Sequence, residues 1–180
     1  MPAQRSVTRT ETQTRAGSGE GRVNEDYALI YAEGGFAVIV DGATGFTKVN
    51  LVTGESDASW FARTLTQALC KLLAQPTIAT AEALERAGAK VAEAYLQLPG
   101  ADATARIDQP NGSLAVLRWN QGVTEVTLLG DCTAVVLLQD GAARVLHDDT
   151  LTKLDDENYE RMYRYATEHG ATMTQARKVS

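Results

Sequence analysis

The amino-acid sequence predicts an α+β fold: two antiparallel sheets with a pair of helices packed outside them. Three observations carry this. Apolar residues run at strand spacing near residues 27–40, shift to helical spacing across 56–98, and return to short strand-like runs from 111 to 146. Strands are thus grouped apart from helices, which favours α+β over an alternating parallel-sheet fold. The later runs are joined by short Gly-containing connectors of the kind that turn antiparallel strands.

Each element has a local reason. Ser6 to Arg15 is Thr-rich and alternates weakly, as an edge strand does, and leads into the Gly17–Gly21 loop. Tyr27 to Tyr31 and Phe36 to Val40 are two strands joined by a turn at Glu33-Gly34-Gly35. The second is apolar throughout, so both of its faces are expected to be covered. Trp60, Phe61, Leu65, Ala68, Leu69, Leu72 and Leu73 then recur at helical spacing, with Thr53 or Ser56 as N-cap and Pro76 closing the helix. A second helix from about Thr80 carries Leu84, Ala87, Val91, Ala94, Tyr95 and Leu98 and stops at Pro99-Gly100. Four strands follow, over Ser113–Trp119, Val123–Leu129, Thr133–Leu138 and Ala142–Leu146. Their connectors, Asn120-Gln121-Gly122, Gly130-Asp131 and Gln139-Asp140-Gly141, suit hairpins. A final helix is placed on Tyr159, Met162, Tyr163 and Ala166. Two sheets with the helices outside would bury every apolar face named.

Composition bounds the function. The chain has 180 residues, 17 Lys+Arg against 23 Asp+Glu, a net charge of −6 and 44% hydrophobic residues. This suits one domain, residues 1–180, with a core that needs no staple. An acidic chain without a basic stripe points away from nucleic acid and anionic membrane as partners. Its longest apolar runs, Phe36–Val40 and Ala134–Leu138, are far below spanning length, and the start MPAQRSVTRT lacks the apolar core of a secretion signal. A cytoplasmic location is the expectation. Two cysteines, Cys70 and Cys132, and two histidines, His147 and His169, make neither a disulfide framework nor a zinc site.

The chemistry concentrates at strand ends. Glu25-Asp26 opens one strand, Asp41-Gly42 ends the next, and Gly130-Asp131 joins two later ones. Carboxylates gathered at one sheet edge bind hard divalent cations through oxygen, and Gly42, lacking Cβ, lets a ligand approach the main-chain carbonyl. Acidic and glycine residues also mark ordinary turns, and spacing alone leaves both readings open. Asp148-Asp149 and Asp155-Asp156-Glu157 read as a solvated loop and a helix start, and Cys70 as core.

Four segments in order carry a family resemblance. Arg22-Val23-Asn24-Glu25-Asp26, Phe36 to Gly42, Gly112-Ser113-Leu114-Ala115-Val116 and Gly130-Asp131-Cys132-Thr133-Ala134-Val135 resemble the PPM, or PP2C-type, metal-dependent serine/threonine phosphatases over about Thr10 to Ala166. The resemblance implies a PP2C-like β-sandwich with a binuclear Mn²⁺ or Mg²⁺ centre, and a third, labile ion. In that reading Asp41 bridges two ions, Glu25 and the Gly42 carbonyl contact one, Asp26 holds metal-bound water, Asp131 helps bind the third ion, and Arg22 holds the substrate phosphate. The substrate class implied is a phosphorylated protein. Such hydrolysis needs accelerations up to ~10²¹-fold. General acid–base help supplies only roughly 10²–10⁴, and metal chemistry covers much more of the gap.

The chain also departs from the family. Arg22 stands four residues before Asp26, one fewer than is common, and Ala43-Thr44-Gly45 replaces the usual His-Gly-Gly or Met-Gly-Gly. The later Asp-Gly and Asp-Asn segments have no counterpart, which predicts a domain truncated at its C-terminus. The alternative function is therefore a catalytically weak or inactive PP2C-like regulatory or binding module.

Overall fold

The computed structural model describes residues 9–16, 23–45, 50–120 and 122–176. The order is β1 (Asp26–Tyr31), β2 (Phe36–Ala43), α1 (Asp57–Leu73), α2 (Thr80–Leu96), β3 (Asn111–Asn120), β4 (Val123–Leu129), β5 (Thr133–Leu137), β6 (Ala143–His147), α3 (Thr150–His169) and a last turn, α4 (Met173–Ala176). Strands β1-β2-β3-β4 form one antiparallel sheet in that order and β5-β6 a second. The predicted α+β class with two antiparallel sheets and a helix pair is the observed one.

The core lies between the first sheet and α1 and α2. Phe36, Val38 and Val40 of β2 and Leu114 and Val116 of β3 meet Leu65, Leu69 and Leu73 of α1, with Ala83, Ala87 and Val91 of α2 behind. Each buried Leu, Val or Phe contributes about 1.5–3 kcal/mol relative to leaving it exposed. Ser56 is the N-cap of α1, its side chain accepting from Ser59 N–H at 3.1 Å. Arg118 of β3 donates to the Ile78 carbonyl at 2.7 Å and the Thr80 hydroxyl at 3.3 Å, tying the sheet to the turn between the helices.

Several expectations are corrected. Residues 9–16 form no strand, and the rest of the proposed N-terminal strand, with the Gly17–Gly21 loop, lies outside the described residues. Strand β2 is covered on one face only: its apolar run alternates in burial, and Ile39 is 47% exposed, because the helices pack against one side of the sheet. On α2 the buried stripe runs through Ala83, Ala87, Val91 and Tyr95, four residues apart on one face, and leaves Ala94 exposed. Gly130-Asp131 closes no hairpin; it carries the chain from the first sheet to the second. Nor are all apolar faces buried. Val135, Leu137 and Val145 on the β5–β6 pair are 61%, 76% and 59% exposed, and Tyr159 and Tyr163 of α3 are exposed too. No described helix is long and apolar enough to cross a membrane.

Candidate metal centre

Alternation along β2 places the site. Val40 points into the core, so Asp41 falls on the face away from the helices and is exposed. The antiparallel register sets Asp26 of β1 directly opposite Asp41, and Ser113 of β3 opposite it on the other side. Three polar side chains thus form a row across three strands at one end of the sheet. Like charges placed directly opposite each other are destabilising, so the Asp26–Asp41 pair is a cost that packing does not explain.

Glu25 and Asp131 join this row through backbone geometry. Gly42 N–H donates to the Glu25 carbonyl at 3.1 Å, fixing residue 25 against the end of β2. Gly130 adopts φ 83°, and the Asp131 N–H donates to Ser113 Oγ at 3.2 Å. A Cβ on Gly130 would collide with that same Ser113 hydroxyl, so glycine is required for the turn to close onto β3. Asn24 Oδ1 accepts from the Asp26 N–H at 3.1 Å, and its amide donates to Thr14 Oγ1 at 2.8 Å.

The carboxylates act on one another. Partial burial raises the Asp41 carboxyl above its ordinary value, and the charge of Asp26, a hydrogen bond with Asp26, and the charges of Asp131 and Glu25 push it in the same direction. All four predicted acidic residues therefore lie within one electrostatic neighbourhood. Cys132 belongs to it as well: burial, then Asp131 and Asp41, raise its thiol, which makes it a poor nucleophile. Burial pushes the Cys70 thiol up to about 11, in keeping with its place against the core.

Gly42 has a reason the sequence did not disclose. A Cβ there would lie 2.5 Å from the Ala58 carbonyl oxygen and 2.8 Å from that of Glu25, so the glycine is demanded by the close approach of α1 and β1. Gly112 is constrained likewise by the Asp41 carbonyl across the β2–β3 ladder. Two residues that stand in the motif segments without an assigned role also belong to the site: Ser113, and Thr44, whose hydroxyl donates to Glu25 Oε1 at 2.6 Å. Arg22 lies outside the described residues.

The donor set suits a hard divalent cation, being all carboxylate and carbonyl oxygen. Among the described residues no three His, Cys, Asp or Glu side chains gather closely enough to enclose an ion. The two facts are compatible, because Mg²⁺ keeps several waters and is commonly held by only one or two carboxylates. The Asp26–Asp41 pair meets that requirement.

Among solved structures the chain resembles the Mycobacterium tuberculosis serine/threonine phosphatase PstP/Ppp, with a TM-score of 0.57 and 18% identity. The chain has a PP2C-like fold. The match covers 81% of this chain and 57% of that one, so the chain spans somewhat more than half the length of its structural neighbour. No protein-family model and no curated protein matches the sequence.

Proposed function

We propose that this chain is a PP2C-like domain, residues 1–180 forming the N-terminal and central part of a catalytic unit, that hydrolyses phosphoserine and phosphothreonine in proteins with the help of Mn²⁺ or Mg²⁺. The observation that carries the reading is the opposed pair Asp26–Asp41, flanked by Glu25 and Asp131 at one end of the sheet. Such concentrated, mutually repelling charge marks a functional site more readily than a structural one.

When bound, the metal ions supply an activated water and neutralise charge on the phosphoryl oxygens. The chain's own residues do the rest. Asp41, Glu25, Asp131 and the Gly42 carbonyl would hold the divalent cations, and Asp26 would accept a hydrogen bond from bound water and so orient it. Arg22 clasps the phosphate, since a guanidinium fork matches two of its oxygens.

The test is hydrolysis of p-nitrophenyl phosphate with Mn²⁺ and with EDTA. Turnover should require Mn²⁺ and fall at least about 100-fold in Asp41→Asn. A rate untouched by EDTA or by this substitution would sink the reading. A second reading, a weakly catalytic or inactive PP2C-like regulatory or binding module, follows from residues 1–180 having no counterpart of the family's later Asp-Gly and Asp-Asn segments. It predicts Mn²⁺ binding without turnover.

A further inference from the structure

Thr44 stands where the resembling family commonly has glycine, and its side chain has a definite partner. Its hydroxyl donates to Glu25 Oε1 at 2.6 Å, within the 2.5–2.7 Å range typical of a charge-assisted O–H···O⁻ bond. The backbone on either side is held. Upstream, Gly42 N–H is bonded to the Glu25 carbonyl; downstream, Gly45 packs against the Asp108 backbone so closely that a Cβ would lie 2.5 Å from the Asp108 carbonyl oxygen. Asp108 itself is buried. A β-branched side chain with restricted χ1 on an anchored backbone has few places for its hydroxyl, and here it meets Glu25 at the solvent-exposed edge of the site.

We infer that Thr44 is a positioning residue for Glu25, holding Oε1 so that the carboxylate is arranged before a divalent cation arrives. This rests on the reading that these carboxylates bind such a cation. A free glutamate would lose rotamer freedom on ligation, and one already pinned loses less. Hydrogen-bond partners of metal-ligating carboxylates commonly set affinity by 10–100-fold.

The experiment titrates Mn²⁺ into the full chain, following free aqueous Mn²⁺ by electron paramagnetic resonance, for the unsubstituted protein, T44V, T44S and E25Q. Thermal melts in EDTA accompany each. T44V should weaken Mn²⁺ binding about 10-fold, T44S should match the unsubstituted protein within about twofold, and the metal-free melting temperatures of all four should agree within about 2 °C. Binding by T44V at full strength while E25Q is weakened would overturn the role of Thr44 alone. So would a T44S as weak as T44V, or a T44V whose loss tracks a lower metal-free melting temperature. Failure of the unsubstituted chain to bind Mn²⁺ would instead overturn the metal reading, and this inference with it.

Discussion

Asp41 carries two opposed demands. Three other carboxylates crowd it, and its own charge is disfavoured by partial burial and by those neighbours. Replacing it with Asn removes one member of the repelling set while keeping its shape. In EDTA at neutral pH, Asp41→Asn should therefore melt about 1–2 °C higher than the unsubstituted chain, a small effect because the side chain is exposed and water screens it. With Mn²⁺ the order should reverse, since only the unsubstituted protein gains from binding. Calorimetry under both conditions checks this, and equal melting temperatures throughout would show that Asp41 is neither crowded nor a ligand. At this scale the four acidic residues were legible in the sequence because each stands at a strand end beside a turn. Thr44 and Ser113 were not, because their partners, Glu25 and Asp131, lie 19 and 18 residues away.

At the scale of elements, α1 is anchored by a buried acid, Asp57. Asp57 Oδ1 accepts from Leu51 N–H and Val52 N–H, both at 2.8 Å, and Oδ2 from the Tyr95 hydroxyl of α2 at 3.0 Å. Asn50 returns the clamp, accepting from Asp57 N–H at 2.6 Å and donating to the carbonyls of Val52 and Glu55. This network sets the entry into α1 and joins both helices at the end nearest the site. Asp57→Ala leaves three donors without acceptors and should cost roughly 3 kcal/mol in urea unfolding. Tyr95 adds a pH signature. Burial first, and then its bond to Asp57, push the phenol from 10.0 up to about 12. Between those values only the unfolded chain ionises it, so the unfolded state binds fewer protons and stability falls as pH rises through that window. Tyr95→Phe should lose about 1 kcal/mol at neutral pH but decline less steeply above pH 10. Parallel slopes for the two proteins would remove Tyr95 from the account. Helices α1 and α2 and most strand bounds were legible from periodicity, whereas α3 begins at Thr150, so Asp155-Asp156-Glu157 lie within it and do not start it. Asp57 was not legible, because an acid at a helix start has a sufficient local explanation in the helix dipole.

The whole molecule is unevenly consolidated. The first sheet and the α1–α2 pair share one core, whereas the β5–β6 pair has an exposed apolar outer face and α3 packs chiefly against α4. An isolated two-stranded pair is marginal in water, and opening free energies follow buried apolar contact. Amide hydrogen exchange should therefore protect β2 and β3 most, with β5, β6 and α3 exchanging at least about 100-fold faster. Uniform protection would contradict this division. Because Asp131 lies at the junction between the two regions, it is the site acid whose placement depends most on the less consolidated half.

Local sequence determined the α+β class, the helix pair, the acidic strand ends and the glycines between them, because each follows from periodicity, capping and turn chemistry within a few residues. Tertiary structure alone decided that only one face of β2 is buried and that Gly130-Asp131 changes sheets. It also decided that Gly42 is required by Ala58 and that Thr44 and Ser113 serve Glu25 and Asp131. Those outcomes depend on strand register and helix approach, contacts between distant parts of the chain that no short window of residues specifies.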